Sequence, residues 1–534
     1  MTSTMHMNLT PSPQATRHFT KMLRAFVLLF WSVSPAIAQH TQVETDAFVQ
    51  SVLERFDVPG ISLTIVKDGK AVVTKGYGVK SLQAGGMADE HTLFGIASNT
   101  KAFTASALGM LVEEGKLDWD DPVIDYLPSF RMSDPYVTAE LSIRDLLVHR
   151  SGLGLGAGDL MWWPPSDYDR KEIVRRLRYL PLKTSFRSAY AYDNVLYSVA
   201  GEVIEVVSGK TWEEFVQTRI LDRIGMTESN VLHSAAAHGT NTAAPHAAVN
   251  GTVQQISPFA SDNTNPAGGI NTNAVDIAKW LVVQLDSGRV ATGGHLFTTN
   301  TTNELWSIVT PKPINEPPAY LQATRTNFYG YGLGFNVQDY RGHKMVTHTG
   351  GLPGYVSRIA MIPGLKLGVA VFTNQESGDA FNAIVNYVLD GYLNASDTDW
   401  LEAYTRASKE SAAAAAKAEA EAAGSRNAAS KPSLPFAQYV GTYRDAWYGD
   451  VAIKIQNGLL RMEFSHTPSL VGNLEHWQYD TFVVRWDDRE LRADAFVTFS
   501  LGPDGKIQRV LMAPASPLVD FSYDFEDLDL RPVR

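Results

Sequence analysis

Cysteine is absent from all 534 residues. That rules out disulfides, a thiolate nucleophile and cysteine-ligated zinc, while leaving the compartment open. A cationic surface is missing as well. The net charge is −11 and no dense Lys/Arg stripe interrupts it, so nucleic-acid binding, which rests on phosphate neutralisation, has no footing. The string G-x-S-x-G does not occur, so an α/β-hydrolase nucleophile elbow is excluded. No H-E-x-x-H occurs, and His233, His238 and His246 match no zinc spacing. The glycines at 152, 154, 156 and 158 lack the preceding strand and following helix that a nucleotide loop needs. No cofactor and no metal are expected. Beyond the N-terminal segment, no run is long and apolar enough to cross a bilayer.

What is present reads as a secreted two-domain protein. Hydrophobic residues make up 44% and charged residues 19%, a globular balance, and the length suits two cores rather than one. Arg17, Lys21 and Arg24 precede AFVLLFWSVSPAIA, which ends in Ala36-Ile37-Ala38. A basic region, a short apolar core and a small-x-small end make a cleaved secretory signal over 1–38, so a periplasmic or secreted location is expected. GISLTIVKDGKAVVTKGYGV (60–79) is two β runs around Asp68-Gly69, a hairpin signal. Helical patterns follow in LSIRDLLVH, SVAGEVIEVVSGKTWEEFVQTRIL and NAVDIAKWLVVQLD, and β runs return in HKMVTHTGG, YVSRIAMIP and KLGVAVFTN. Strands open and close this region, 39–407, and helices fill it. That predicts an α+β sandwich whose terminal strands share one sheet. Residues 408–435 shift to Ala, Glu and Lys, then Ser and Pro, and read as a solvated helix and linker. In 436–534 almost everything is β pattern, with turns at Asn457-Gly458 and Asp504-Gly505. A small antiparallel barrel is the arrangement that hides its strand edges.

The chemistry concentrates in FGIASNTKAFTASALGMLVEEGKL (94–117). Ser98 suits an N-cap, with Ala105, Leu108, Leu111 and Val112 as the buried stripe and Gly115 as the stop. Lys101 falls in the first turn, where the helix dipole disfavours a cation, so a role other than helix stability is indicated. A helix N-terminus also offers free N–H groups to a developing oxyanion. A serine hydroxyl needs a base. Lys101 is one candidate. Tyr192, in Tyr192-Asp193-Asn194, is another if neighbouring cations lower its phenol. His348 ends a β run beside Gly350 and Gly351, where a substrate backbone could lie along the strand edge.

Ser98-x-x-Lys101, Tyr192-x-Asn194 and His348-Thr349-Gly350 occur in the order of the penicillin-recognising serine hydrolases, and the region around them resembles that superfamily. LLVHRSGL, NPAGGINTNAVDIAKW and YGYGLGF agree with it. The resemblance implies a β-lactamase/transpeptidase-like sandwich. It implies that Ser98 is acylated, that Lys101 and Tyr192 manage the proton, and that Asn194 binds the substrate amide. The oxyanion would then face the N–H groups of Ser98 and Gly351. Many members carry lysine where this chain has His348, an exchange that points away from β-lactamase and towards peptidase or esterase branches. The second domain resembles the lipocalin-like appendage of some relatives. As a whole the chain is similar to bacterial peptidases of linearised microcystin, a D-residue-rich peptide with a long aromatic β-amino acid. The loop GLGLGAGDLMWWPPSDY is compatible, since it could present Met161, Trp162 and Trp163 to a bulky apolar ligand. The expected partner is a small peptide substrate, with no nucleic acid and no stable membrane span once the signal is removed. A homo-oligomer is compatible with the sequence. A non-catalytic binder of cell-wall peptides is the alternative from another class, disfavoured because nucleophile and both proton-handling residues are all present.

Overall fold

A computed structural model describes residues 40–237, 239–395 and 397–533. The signal segment and His238 lie outside the described residues. Asp68 and Gly69 take φ of 51° and 75°, the left-handed pair a two-residue hairpin turn requires. The strands they join, Gly60–Lys67 and Lys70–Gly78, start an eight-stranded antiparallel sheet. From Gly60–Lys67 the order continues through Leu367–Thr373, Tyr355–Ile362, His343–Leu352, Asn336–Tyr340 and Tyr329–Tyr331 to Thr310–Pro311. Ile61 pairs with Thr373 and Lys67 with Leu367, so the opening and closing strands lie side by side, as the pattern predicts.

The pleat sorts side chains onto two cores. Ile61, Leu63 and Ile65 bury with Val49, Phe381 and Trp400. These come from the helices Gln42–Arg55, Gly378–Leu393 and Trp400–Gly424. On the opposite face, Thr64 Oγ1 donates to the Ala274 carbonyl at 2.9 Å, where helix Ala274–Leu285 lies against the sheet. This second face carries helices Lys101–Glu113 and Val195–Ser208, packed on each other.

Two helical expectations change. The stripe over Ala105, Leu108, Leu111 and Val112 widens: every residue from Lys101 to Leu111 is buried, and Val112 only partly. The helix is central, so it has no wet face. LSIRDLLVH forms only the short turn Arg144–Leu147. The Asp145 carboxylate caps Ser142 N–H at 3.1 Å and is held by Arg150 and Arg187. His149 then takes φ 57°, which ends the run.

The Ala-rich helix begins at Trp400, upstream of position 408, with Asp399 as its cap. After it, eight strands form the C-terminal barrel, from Gly441–Asp445 to Arg531–Pro532. The last strand pairs with Tyr443 and Arg444, and Leu530 bridges Val510, which brings the sheet round on itself. Tyr439, Phe482 and Phe499 fill the interior, with ring centroids 4.8–5.7 Å apart. The barrel shares one continuous core with the helical side of the sandwich. Arg492 clamps Glu376 across the junction through two bonds of 2.5 and 2.6 Å.

Candidate active site

Ser98 does not cap the helix that follows. It lies in the turn Ala97–Thr100, and Thr100 takes the N-cap position without a side-chain capping bond, its hydroxyl accepting the Ile270 N–H at 3.1 Å instead. The Ser98 hydroxyl is therefore not committed to a capping bond. Ala97, just before it, has φ 49°, a left-handed conformation that costs an alanine on the order of 1–2 kcal/mol. Gly350 braces the turn from the sheet: a Cβ there would sit 2.2 Å from the Ile96 carbonyl oxygen and 3.0 Å from Ala97 Cβ.

Lys101 Nζ lies 3.1 Å from Ser98 Oγ, 2.7 Å from Asn194 Oδ1 and 3.0 Å from the Ala267 carbonyl. The latter two oxygens can only accept. A neutral amine gives its two N–H groups to them and turns its lone pair to the Ser98 O–H. Lys101 is fully buried, and burial pulls its amine from 10.5 to about 7, with Asp159 and Asp193 acting in the other direction. Burial also pushes both of those carboxyls up to about 7, against the pull of Lys101.

Tyr192 reaches the same place but corrects an expectation. Burial raises its phenol above the ordinary value, and an interaction with Ser98 only partly opposes this. Lys101 Nζ lies over the ring face, 4.9 Å from the centroid, and is not among the groups that shift the phenol. The phenol is thus held in its protonated form, opposite to the lowered value that the sequence suggested.

His348 is buried and neutral. Its Nδ1–H donates to the Thr349 carbonyl at 2.6 Å, which leaves Nε2 to accept the Tyr331 O–H at 2.7 Å. Burial first, and Lys101 second, push its imidazole down to about 3. Asn194 is turned inward at both ends. Its Oδ1 accepts from Lys101 and its Nδ2 donates to Asp159 Oδ2 at 2.8 Å. Both ends of its amide therefore have partners within the protein.

The tryptophans lie down rather than stand out. Trp162 and Trp163 are 5% and 6% exposed. The Trp162 indole donates to Asp159 Oδ1 at 2.8 Å, so the expected display towards ligand is withdrawn for this side chain. Trp163 lines a cavity of about 570 Å³ at the junction of sandwich and barrel. Gly351, exposed on its strand, opens onto the same cavity.

Sequence reasoning missed Asp159, Asp193, His149 and Ser522. His149 stood in a supporting string; its Nδ1 accepts the Asp193 N–H at 3.2 Å and its ring lies 4.3 Å from that of Tyr192. Asp193 sits inside the Tyr192–Asn194 motif, where its adjacency was a usable signal. Asp159 and Ser522 carried none.

The Beta-lactamase family profile matches residues 45–392, and a family described as a domain of unknown function matches 425–532. Among known proteins, the chain is similar to the unguisins hydrolase ungD′ of Aspergillus campestris, 29% identical over 86% of both chains. It is also similar to protein flp of Staphylococcus aureus, 25% identical over 64% of both. The octameric penicillin-binding protein homologue from Pyrococcus abyssi shares the fold, with TM-score 0.59 at 21% identity over 92% of this chain and 100% of that one. D-amino acid amidase from Ochrobactrum anthropi shares it over 66% of this chain and 99% of that one, with TM-score 0.54 at 24% identity.

Proposed function

Because the chain belongs to the Beta-lactamase family and is a serine hydrolase, we propose that it hydrolyses amide bonds in linear peptides containing D-residues, with linearised microcystin as candidate substrate. One observation carries the reading: a buried amine with a near-neutral pKa, 3.1 Å from the Ser98 hydroxyl. Neutral Lys101 takes the Ser98 proton as Oγ attacks the substrate carbonyl carbon. The oxyanion so formed faces the backbone N–H groups of Ser98 and Gly351. Tyr192 relays the proton to the leaving nitrogen, the C–N bond breaks, and the acyl group stays on Ser98 until water hydrolyses the ester.

The cavity supports a bulky apolar substrate. Trp163, Phe259, Leu352 and Leu518 supply its apolar walls, and Gly351, whose N–H would face the oxyanion, belongs to the same lining. The similarity to unguisins hydrolases over most of both chains is in keeping with hydrolysis. A carboxylesterase is the second reading, favoured over β-lactamase by neutral His348, which supplies no fixed cation for a β-lactam carboxylate. Action in the periplasm or medium belongs to the same proposal, supported by the basic and apolar segment before Gln39; cell fractionation tests it.

The test is intact-mass spectrometry after mixing with a linear D-residue peptide, a β-lactam and a simple ester. We expect a peptide-derived adduct that turns over in the wild type and is absent from Ser98→Ala, which keeps its fold. An adduct of unchanged yield on Ser98→Ala removes Ser98 as the nucleophile.

A further inference from the structure

The segment between the barrel strand Ile507–Pro514 and the closing strand Arg531–Pro532 runs back over the hydrolase site. It is anchored there twice: Asp524 Oδ2 accepts the Gly158 N–H at 2.7 Å, and Asp527 pairs with Lys183 at 2.5 Å. Next to these anchors, Phe521 meets the Tyr192 ring edge-on, with centroids 6.1 Å apart. Ser522, 3% exposed, donates its hydroxyl to Asp159 Oδ2 at 2.9 Å. The same oxygen accepts from Asn194 Nδ2, and Asn194 Oδ1 accepts from Lys101. One line of hydrogen bonds thus runs from the barrel to the nucleophile: Ser522, Asp159, Asn194, Lys101, Ser98.

We propose that Ser522 is a positioning residue for catalysis, supplied by the C-terminal domain, whose hydroxyl fixes Asp159 and, through Asn194, the orientation and proton affinity of Lys101. The inference rests on Lys101 as the base, the reading given above. The direction of the effect follows from chemistry. A hydroxyl donor favours ionised Asp159, and ionised Asp159 favours the protonated amine. The other titratable groups facing Asp159 are Asp524 and Tyr192. Those facing Lys101 are Asp193, His149, His233 and His348, with the rings of Tyr192 and Tyr197 4.9 and 5.1 Å from Nζ. All of them remain in place when Ser522 is changed. Without the Ser522 hydroxyl, Asp159 holds its proton more readily, Lys101 loses its proton more readily, and Asn194 is less well fixed.

The experiment measures single-turnover acylation of the full chain by an activated ester against pH, in wild type, Ser522→Ala and Ser522→Cys. The cysteine variant fills the position with a somewhat larger group that is a weaker donor, in case the alanine variant loosens the loop. Expected is a loss of about tenfold in the acylation rate and an acid limb displaced to lower pH. A folded variant whose acid limb and rate match wild type overturns the inference, as does a variant that only melts earlier. No adduct on wild-type Ser98 overturns the serine reading and this inference with it. A normal adduct with an unmoved acid limb overturns this inference alone.

Discussion

If Lys101 is the base, activity must follow its deprotonation. Its environment takes the amine from 10.5 to about 7, which corresponds to roughly 5 kcal/mol disfavouring the ammonium form. Only the neutral form has a lone pair for the Ser98 proton. The neutral fraction is about one tenth at one pH unit below the pKa and about nine tenths at one unit above. So kcat/KM should climb roughly tenfold from about pH 6 to about pH 8 and then level off. The assay is initial rate on a linear peptide amide at constant ionic strength, with stopped-flow acylation by a chromogenic ester as the second readout. Lys101→Arg keeps a cation that never deprotonates, and should lose about 10² to 10⁴ in kcat/KM. Two results would refute the reasoning: an acid limb that keeps rising to about pH 10, where an unperturbed lysine titrates, or a folded Lys101→Arg that retains activity within about tenfold of wild type.

Gly350→Ala should lower Tm and cut kcat by about a hundredfold, because the new methyl falls 2.2 Å from the Ile96 carbonyl and displaces the Ser98 turn. Gly351→Ala meets nothing within 4 Å and should leave Tm unchanged; differential scanning calorimetry separates the two. Trp163→Ala should raise KM for bulky apolar peptides by about tenfold or more, the loss of a buried aromatic wall, while KM for a small ester stays put. Equal changes for both substrate classes would detach Trp163 from substrate binding.

The legible part of this site is local. Ser98 and Lys101 are three residues apart, Tyr192 and Asn194 two, and the order of these short strings was enough to bring them together. The hairpin at Asp68-Gly69 was legible for the same reason: its turn chemistry is written in two adjacent residues. Protonation was not legible, because burial sets it. The proximity of a cation suggested a lowered Tyr192 phenol, yet desolvation dominates and raises it. The loop around Trp162 and Trp163 has a composition suited to display, but a single carboxylate, Asp159, captures the Trp162 indole. Asp159 and Ser522 are far apart in sequence, and each is a common residue type with no motif around it. Only the fold of the barrel onto the sandwich brings them within 2.9 Å.

That junction bears on the chemistry as well as on the shape. Lys101, Asp159 and Asp193 are all fully buried, and all are driven to about 7 by the same cause, exclusion of water. When interacting groups titrate together, protons leave in steps that belong to the cluster and not to one member. The acid limb therefore reports the cluster, with Lys101 as the member whose lone pair points at Ser98. Neutralising either carboxyl removes a charge that holds the ammonium form, and so frees the base at lower pH. Admitting water acts in the opposite sense, since a hydrated amine returns towards its ordinary value. Phe521 and Ser522 lie where they help close this region from the barrel side. A domain that does not carry Ser98 can in this way set the pH at which its neighbour works.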